Sequence, residues 1–301
     1  MDLAAKLEDE VDFVDNIISE YMPKEDGLQK TIFEGMNYAV SAGGKRIRPI
    51  LMYETYKLFG GKGDVIKPFM AAIEMIHTYS LVHDDMPCVD NDDMRRGKPT
   101  THIVYGETMG LFVGDGLLNL AFETIANGMD YVDTADSKQV EAYKEAFKYI
   151  SKCAGSFGML AGQVVDKESE DKEDIDLDTI MYLYEKKTGE LLRASMVVGA
   201  ILAGADKADV DIIEKVATNV GIAFQIQDDI LDVIGTEEEL GKPIGSDERN
   251  NKSTYVAHVG LEESKEEVKR LTNEAIELLS EIDGKNEFLE EFLTFLINRK
   301  K

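Results

Sequence analysis

Apolar residues recur along this chain at three- and four-residue spacing almost from end to end, which is the period of an amphipathic α-helix. Leu3, Leu7, Val11, Val14 and Ile18 form one such stripe, and Ile32, Met36 and Ala39 begin another. The same period predicts helices near 46–59, 65–85, 108–128, 137–162, 177–203, 209–234, 262–281 and 286–299. Only six prolines occur, and no convincing run of alternating β-branched residues predicts a strand. Short breakers such as Gly60-Gly61-Lys62-Gly63 and Gly241-Lys242-Pro243 separate the helices. No low-complexity linker or shift in composition divides the chain. The expected architecture is therefore one all-α domain over 1–301, a bundle of roughly ten or more helices. The segments 194–205 and 217–226 are apolar on nearly every face, which predicts a place at the centre of the bundle.

Two clusters of aspartate break this apolar pattern. The first is Asp84-Asp85-Met86-Pro87-Cys88-Val89-Asp90, and the second is Asp228-Asp229-Ile230-Leu231-Asp232. Both lie at or near the ends of helix-like segments where carboxylates are not expected. That places them at the mouth of a deep, mostly apolar cavity. Clustered like charges raise one another's pKa, so such a helix calls for a cation. Oxygen ligands with no thiolate or imidazole cluster beside them point to Mg²⁺, which sits between a few carboxylates and substrate phosphates. Asp228 and Asp232 are four residues apart and share a helical face with Gln225. Asp84 and Asp90 are six apart with Pro87 between them, so the backbone must bend for both to reach one ion.

Charge sharpens this picture. The chain carries 33 basic and 59 acidic residues, a net charge of −26, which argues against nucleic acid and anionic membrane surfaces as partners. Against that background, basic clusters are informative. Gly43-Gly44-Lys45-Arg46-Ile47-Arg48-Pro49 precedes the first aspartate motif, and Asn91-Asp92-Asp93-Met94-Arg95-Arg96-Gly97-Lys98 follows it. Lys186-Lys187-Thr188 and the pair Lys242 and Lys252 make two further sets. Such groups grip diphosphates through charge-assisted hydrogen bonds, and four sets suggest two phosphorylated substrates. His77 lies two turns before Asp84 on the same face and is expected to bond substrate. The two cysteines, Cys88 and Cys153, are expected as reduced thiols. The acidic start has no signal-peptide pattern, and the apolar stretch 194–205 is too short to span a membrane, so a soluble, cytoplasmic protein is expected.

Read together, these segments resemble the trans-isoprenyl diphosphate synthase (polyprenyl synthetase) family. The resemblance covers nearly the whole chain, in order: GGKRIRP, SLVHDDMPCVDNDDMRRGKPT, the Gly162-Gln163-Val164-Val165-Asp166 stretch, KKTGEL, FQIQDDILD, GKPIGSD and NKSTY. The four residues between Asp85 and Asp90 resemble bacterial-type farnesyl and plant-type geranylgeranyl diphosphate synthases. By this resemblance Asp84, Asp90 and Asp228 bind Mg²⁺ with support from Asp85, Asp229 and Asp232, and about three ions bridge them to the diphosphate. Arg95, Lys187, Lys242 and Lys252 would hold the allylic diphosphate, and Lys45, Arg48, His77 and Arg96 isopentenyl diphosphate. Thr188 and Gln225 would face the allylic carbon, and the basic tail Arg299-Lys300-Lys301 would close over the second substrate or fray. The resemblance also implies a homodimer.

The implied chemistry is ionisation of an allylic diphosphate, attack by the double bond of isopentenyl diphosphate, and loss of a proton. Product length then becomes a packing question. The tail grows along the helix that ends at Asp84, and Tyr79, with Ser80 beside it, stands five residues upstream as a floor. A phenol ring there favours a C15 product, farnesyl diphosphate. The alternatives are geranylgeranyl diphosphate synthase, which differs in cavity depth, and a non-catalytic partner subunit, which would be expected to lose motif residues that this chain keeps. A terpene cyclase would not need Lys45, Arg48 and Arg96, and an acidic cation buffer would not explain the basic sets.

Overall fold

The computed structural model describes residues 3–170, 172, 175–234 and 253–297. They are almost wholly helical, as the apolar period predicts. The chain divides into two compact units, Met1–Tyr53 with Lys62–Phe147, and Glu54–Gly61 with Lys148–Lys301.

The first unit contains α1 (Leu3–Tyr21), α2 (Lys30–Val40), the start of α3 (Ile47–Leu58), α4 (Lys67–Asp84), α5 (Thr101–Tyr105), α6 (Glu107–Asn127) and the start of α7 (Ser137–Ala154). Its centre is α4, where Phe69, Met70, Ala71, Ala72, Ile73, Met75 and Ile76 are fully buried. Helix α6 packs along α4 with Val113, Leu117, Ala121 and Ile125 inward, four residues apart on one stripe. Two glycines let the helices close: a Cβ on Gly114 would lie 2.1 Å from the His83 ring, and one on Gly110 would meet Met86 Sδ at 2.9 Å. Helix α1 closes the other side of α4 with Val14, Ile17 and Ile18.

Sequence periodicity passed over one feature here, a two-stranded hairpin of β1 (Met94–Arg95) and β2 (Lys98–Pro99). Strands of two residues are too short to show alternation. Glu107–Tyr131 is the described segment long and apolar enough, by length and composition, to cross a membrane. Its inward stripe is used up against α4, so it serves as a core helix of this unit.

The second unit contains α8 (Met159–Ser169), α9 (Leu177–Leu183), a π-helical turn (Tyr184–Gly189), α10 (Glu190–Ala203), α11 (Lys207–Ile234), α12 (Tyr255–Val259), α13 (Leu261–Ser280) and α14 (Glu287–Ile297). Helices α10 and α11 bury Ala194, Met196, Val197, Val198, Ala217, Val220, Ala223 and Ile226 completely, as their all-round apolarity predicts. The expected helix over 137–162 is interrupted at Gly155–Gly158. There the Gly158 N–H bonds the Gly155 carbonyl, and a Cβ on Gly158 would strike the Cys153 carbonyl oxygen. The expected 177–203 helix is continuous, but its middle is wound as the π turn.

A buried carboxylate ties α3 to α14 in this unit. Glu54 is completely buried, accepts from Lys57 Nζ, and takes the Asn286 amide at 2.6 Å. The Asn286 side-chain oxygen in turn caps α14 by accepting from the Leu289 N–H at 3.1 Å. Asn286→Ala removes the cap and strips Glu54 of a donor at once. The expected loss is about 2–3 kcal/mol of unfolding free energy, read as a lowered urea midpoint at unchanged slope; an unchanged midpoint refutes the tie.

Candidate active site

The first aspartate motif sits where α4 runs out. Asp85 is the C-terminal cap, and the chain then folds back on itself across Pro87. The Asp90 N–H bonds the Asp84 carbonyl at 2.9 Å, the Asn91 N–H bonds the Met86 carbonyl at 3.1 Å, and the Asp92 N–H bonds the Asp85 carbonyl at 3.2 Å. The bend that Pro87 predicts is therefore present, and it brings the backbone of Asp90 against that of Asp84. Asn91 turns the chain in the left-handed region, φ +54°, which asparagine tolerates better than most side chains.

Asp85 faces away from solvent and is gripped by Arg95, with Nε at 2.8 and 2.9 Å and Nη2 at 2.6 Å. Burial, with Asp92 and Asp90 nearby, pushes the Asp85 carboxyl above its usual range even though the guanidinium pulls it back. The expected metal-supporting aspartate and the expected diphosphate-binding arginine thus hold each other. Arg95 is thereby oriented by a fork that few other pairs could supply.

Beside this, the sequence-predicted isopentenyl diphosphate residues converge in part. The Arg96 guanidinium donates to the Gly43 carbonyl, so the hairpin clasps the Gly43–Arg48 loop. Gly44 (φ +141°) has no room for a side chain, because a Cβ would lie 2.7 Å from Arg96 Nη1. Arg48 Nε is buried with no hydrogen-bond partner, and burial lowers its guanidinium to about 10. His77 is held well below its ordinary pKa by burial and by the charges of Arg48, Arg96, Arg95 and Arg46. Lys45 is exposed at the rim. Arg46 went unremarked in the sequence, yet it is the residue of this loop that turns inward.

The second unit holds a cavity of about 320 Å³. It is lined by Lys187, Thr188, Gln225, Asp228 and Asp229 of the predicted set, and by Asp166, Glu170, Tyr184, Ser253 and Thr254. Lys187 and Thr188 reach the cavity from the π turn. Such turns recur at functional sites. Its backbone is closely invested, since a Cβ on Gly162 of α8 would lie 2.3 Å from the Lys187 nitrogen. Lys187 bonds Asp166, whereas Lys186 points elsewhere, to Glu185 and Glu190.

Tyr184, which the sequence reading did not single out, donates its hydroxyl to Asp229, and the Tyr255 N–H reaches the same oxygen at 3.0 Å. Asp232, one turn beyond Asp228, is buried on α11. Lys242, Lys252 and the tail Arg299-Lys300-Lys301 lie outside the described residues.

This donor set fits Mg²⁺. The cavity carries the carboxylates of Asp166, Glu170, Asp228 and Asp229 against the ammonium of Lys187. Among the described residues no three ligating groups gather closely enough to hold an ion unaided. Mg²⁺ does not need such a cage, since it takes one or two carboxylates and completes its shell with phosphate oxygens and water.

The pKa of His77 gives a direct check. Burial and neighbouring cations disfavour the protonated ring, so the imidazole is expected to stay neutral from pH 8 down past the free-imidazole value of about 6.5. A long-range ¹H–¹⁵N NMR titration reads this, and a His77 midpoint at or above about 6.5 overturns the electrostatic picture of the cluster.

The chain is similar to known proteins over most of its length. A sequence profile of the family described as "Polyprenyl synthetase" matches residues 29–292. The chain is 44% identical over 255 residues to a farnesyl diphosphate synthase of Geobacillus stearothermophilus, covering 85% of this chain and 84% of that protein. It is 42% identical over 291 residues to a geranylgeranyl diphosphate synthase of Cyanophora paradoxa, covering 96% and 93%. The crystal structure of geranylgeranyl pyrophosphate synthetase from Pyrococcus horikoshii superposes with a TM-score of 0.87 at 31% identity, covering 99% of this chain and 98% of that one. The chain belongs to the polyprenyl synthetase family and is a prenyltransferase of isoprenoid biosynthesis, acting on isoprenoid diphosphates.

Proposed function

We propose that the protein is a farnesyl diphosphate synthase working as one catalytic domain over 1–301. It joins isopentenyl diphosphate head-to-tail (1'-4) to dimethylallyl and then geranyl diphosphate. Relatives bear both the farnesyl and the geranylgeranyl names, so the C15 product rests on the bulk of one residue five positions before Asp84.

The observation that carries it is Tyr79. Its ring is buried on α4, lies near enough to Asp84 for that charge, with burial, to push its phenol up to about 12, and meets the His83 ring edge-on at 5.8 Å. His83 is wedged in turn, its Nε2 at 3.1 Å from the Leu111 carbonyl and its ring over Gly114. A braced ring is a floor that a growing tail cannot push aside. Ser80 bonds the His77 carbonyl and adds little bulk.

In this reading Asp84, Asp90 and Asp228, with Asp229 and Asp232 in support, hold Mg²⁺, which supplies neutralisation of the diphosphate as it leaves. Asp85 acts by orienting Arg95. Arg95, Lys187, Lys242 and Lys252 grip the allylic diphosphate, while Lys45, Arg48, His77 and Arg96 grip isopentenyl diphosphate. Two anions fixed at separate basic sets bring the reacting carbons together as an intramolecular pair. Thr188 and Gln225, both on the cavity wall, turn partial negative charge toward the allylic cation. The released diphosphate takes the proton lost from the new chain.

We extend the proposal to a soluble, cytoplasmic homodimer joined through α5 and α6. Ile103, Val104, Leu111 and Phe112 are about half exposed there, an apolar cluster of the kind that symmetric interfaces cover. Light scattering on the purified chain is expected to give twice the monomer mass, and a monomer at micromolar concentration removes the proposal.

The function itself is tested with isopentenyl diphosphate, dimethylallyl diphosphate and Mg²⁺, followed by dephosphorylation and identification of the alcohols. Farnesol is expected as the main product, and Tyr79→Ala is expected to shift it to geranylgeraniol or longer. Geranylgeraniol from the unmodified protein favours the second reading, a geranylgeranyl diphosphate synthase. No product at all favours a partner subunit.

A further inference from the structure

Glu74 is one of the most buried charged residues of the first unit, its side chain 2% exposed in the middle of α4. Nothing in the reaction described above uses it. It meets Arg46, equally buried at 3%, whose Nη1 donates to Glu74 Oε1 at 2.7 Å. The other Arg46 donors are also engaged, Nε with Asp15 Oδ1 at 2.7 Å and Nη2 with the Val40 carbonyl at 2.8 Å. Yet Arg46 sits at φ +46°, a left-handed conformation that a side chain of this size adopts only when its surroundings impose it. The imposing contact is the buried ion pair. Turning Arg46 inward leaves Lys45 at the rim and starts α3 at Ile47, which sets where Arg48 stands.

Three observations connect this pair to ligand binding. Glu74 and His77 are three residues apart and share a ridge of α4, so the strut and the imidazole ride on one rigid element. Glu74 is also the carboxylate whose charge reaches Arg46, Arg48 and Arg96 together. Glu74 Oε1 accepts from Arg46 Nη1, and Arg48 Nε remains buried without a partner. A carboxylate placed there offsets repulsion among crowded guanidiniums without occupying that donor.

We propose that Glu74 is a positioning residue for isopentenyl diphosphate, holding the Gly43–Arg48 loop through Arg46 so that Arg48 presents an unpaired donor to the substrate. The proposal rests on the assignment of Lys45, Arg48, His77 and Arg96 to that substrate.

Steady-state kinetics of the full chain test it, varying isopentenyl diphosphate at saturating geranyl diphosphate and then the reverse. Glu74→Gln keeps the shape and removes the charge. It is expected to raise the KM for isopentenyl diphosphate about tenfold or more, with the KM for geranyl diphosphate within about twofold and kcat largely kept. A merely structural role would move both constants together, and that result, or an unchanged KM for isopentenyl diphosphate, overturns the proposal. Should Glu74→Gln not fold, Asp15→Asn stands in, because that partner is 47% exposed. It is expected to raise the same KM about threefold and leave the other unmoved, and equal effects on both again overturn the proposal. Arg48→Ala separates the two layers. A raised KM there with a silent Glu74→Gln refutes only the positioning role, whereas an unchanged KM removes the substrate assignment and the proposal with it.

Discussion

An acidic chain that handles two anionic substrates has to keep its cations in order while the substrates are away, and local pairing does this. Arg95 is locked in a fork with Asp85, Lys187 bonds Asp166, and Arg46 is sunk against Glu74. Each pair is made within one unit, between neighbouring turns or adjoining helices. On the proposed assignment of these cations to the substrates, binding is then an exchange of partners rather than the filling of a bare positive pocket. Its cost is set by how firmly each carboxylate holds on. The pairs differ in this respect. Lys187 and Asp166 stand at an open cavity wall, while Arg46 and Glu74 are closed off altogether. On the function proposed above, the first kind trades its carboxylate for phosphate, and the second serves as framework.

Backbone irregularity gathers at the same places. Among the described residues the non-glycine positions in the left-handed region are Arg46, Asn91 and Arg96, all in the two loops that carry the first basic sets and the first aspartate motif. The π turn falls on Lys187 and Thr188. Elsewhere most of the described residues are in regular helix. A residue of the size of arginine in the left-handed region costs about 1–3 kcal/mol, so it persists only where surrounding contacts over-determine it. Here those contacts are the Arg46–Glu74 pair and the Arg96–Gly43 clasp.

Periodicity made most of the helices legible because burial needs a continuous apolar stripe, and stripes such as Val113, Leu117, Ala121 and Ile125 leave that mark in sequence. Pro87 announced the bend that brings Asp90 back to Asp84. What stayed hidden depends on contacts between elements. No spacing rule tells that Arg46 turns in while Arg48, two residues on, keeps a bare Nε, since that choice belongs to Glu74 on another helix. Nor does the π turn differ in composition from the α-helix around it. Its backbone lies close against Gly162 on α8 and Gly221 on α11, where a side chain would not fit. Lys186 and Lys187 read as one basic set, but only Lys187 reaches the cavity.

Helix α4 brings these threads together. At 100° per residue, Glu74, His77, Leu81, Asp84 and Asp85 fall along one side, while Tyr79 and His83 fall on the other, toward α6. On the function proposed above, anion recognition belongs to one face of this rod and tail length to the other. The floor can then be deepened or raised from the α6 side, at Tyr79, His83 or Gly114, with Glu74 and His77 undisturbed. In a family whose members at comparable identity carry farnesyl and geranylgeranyl names, such separation would let product length change while the basic sets and aspartates stay the same.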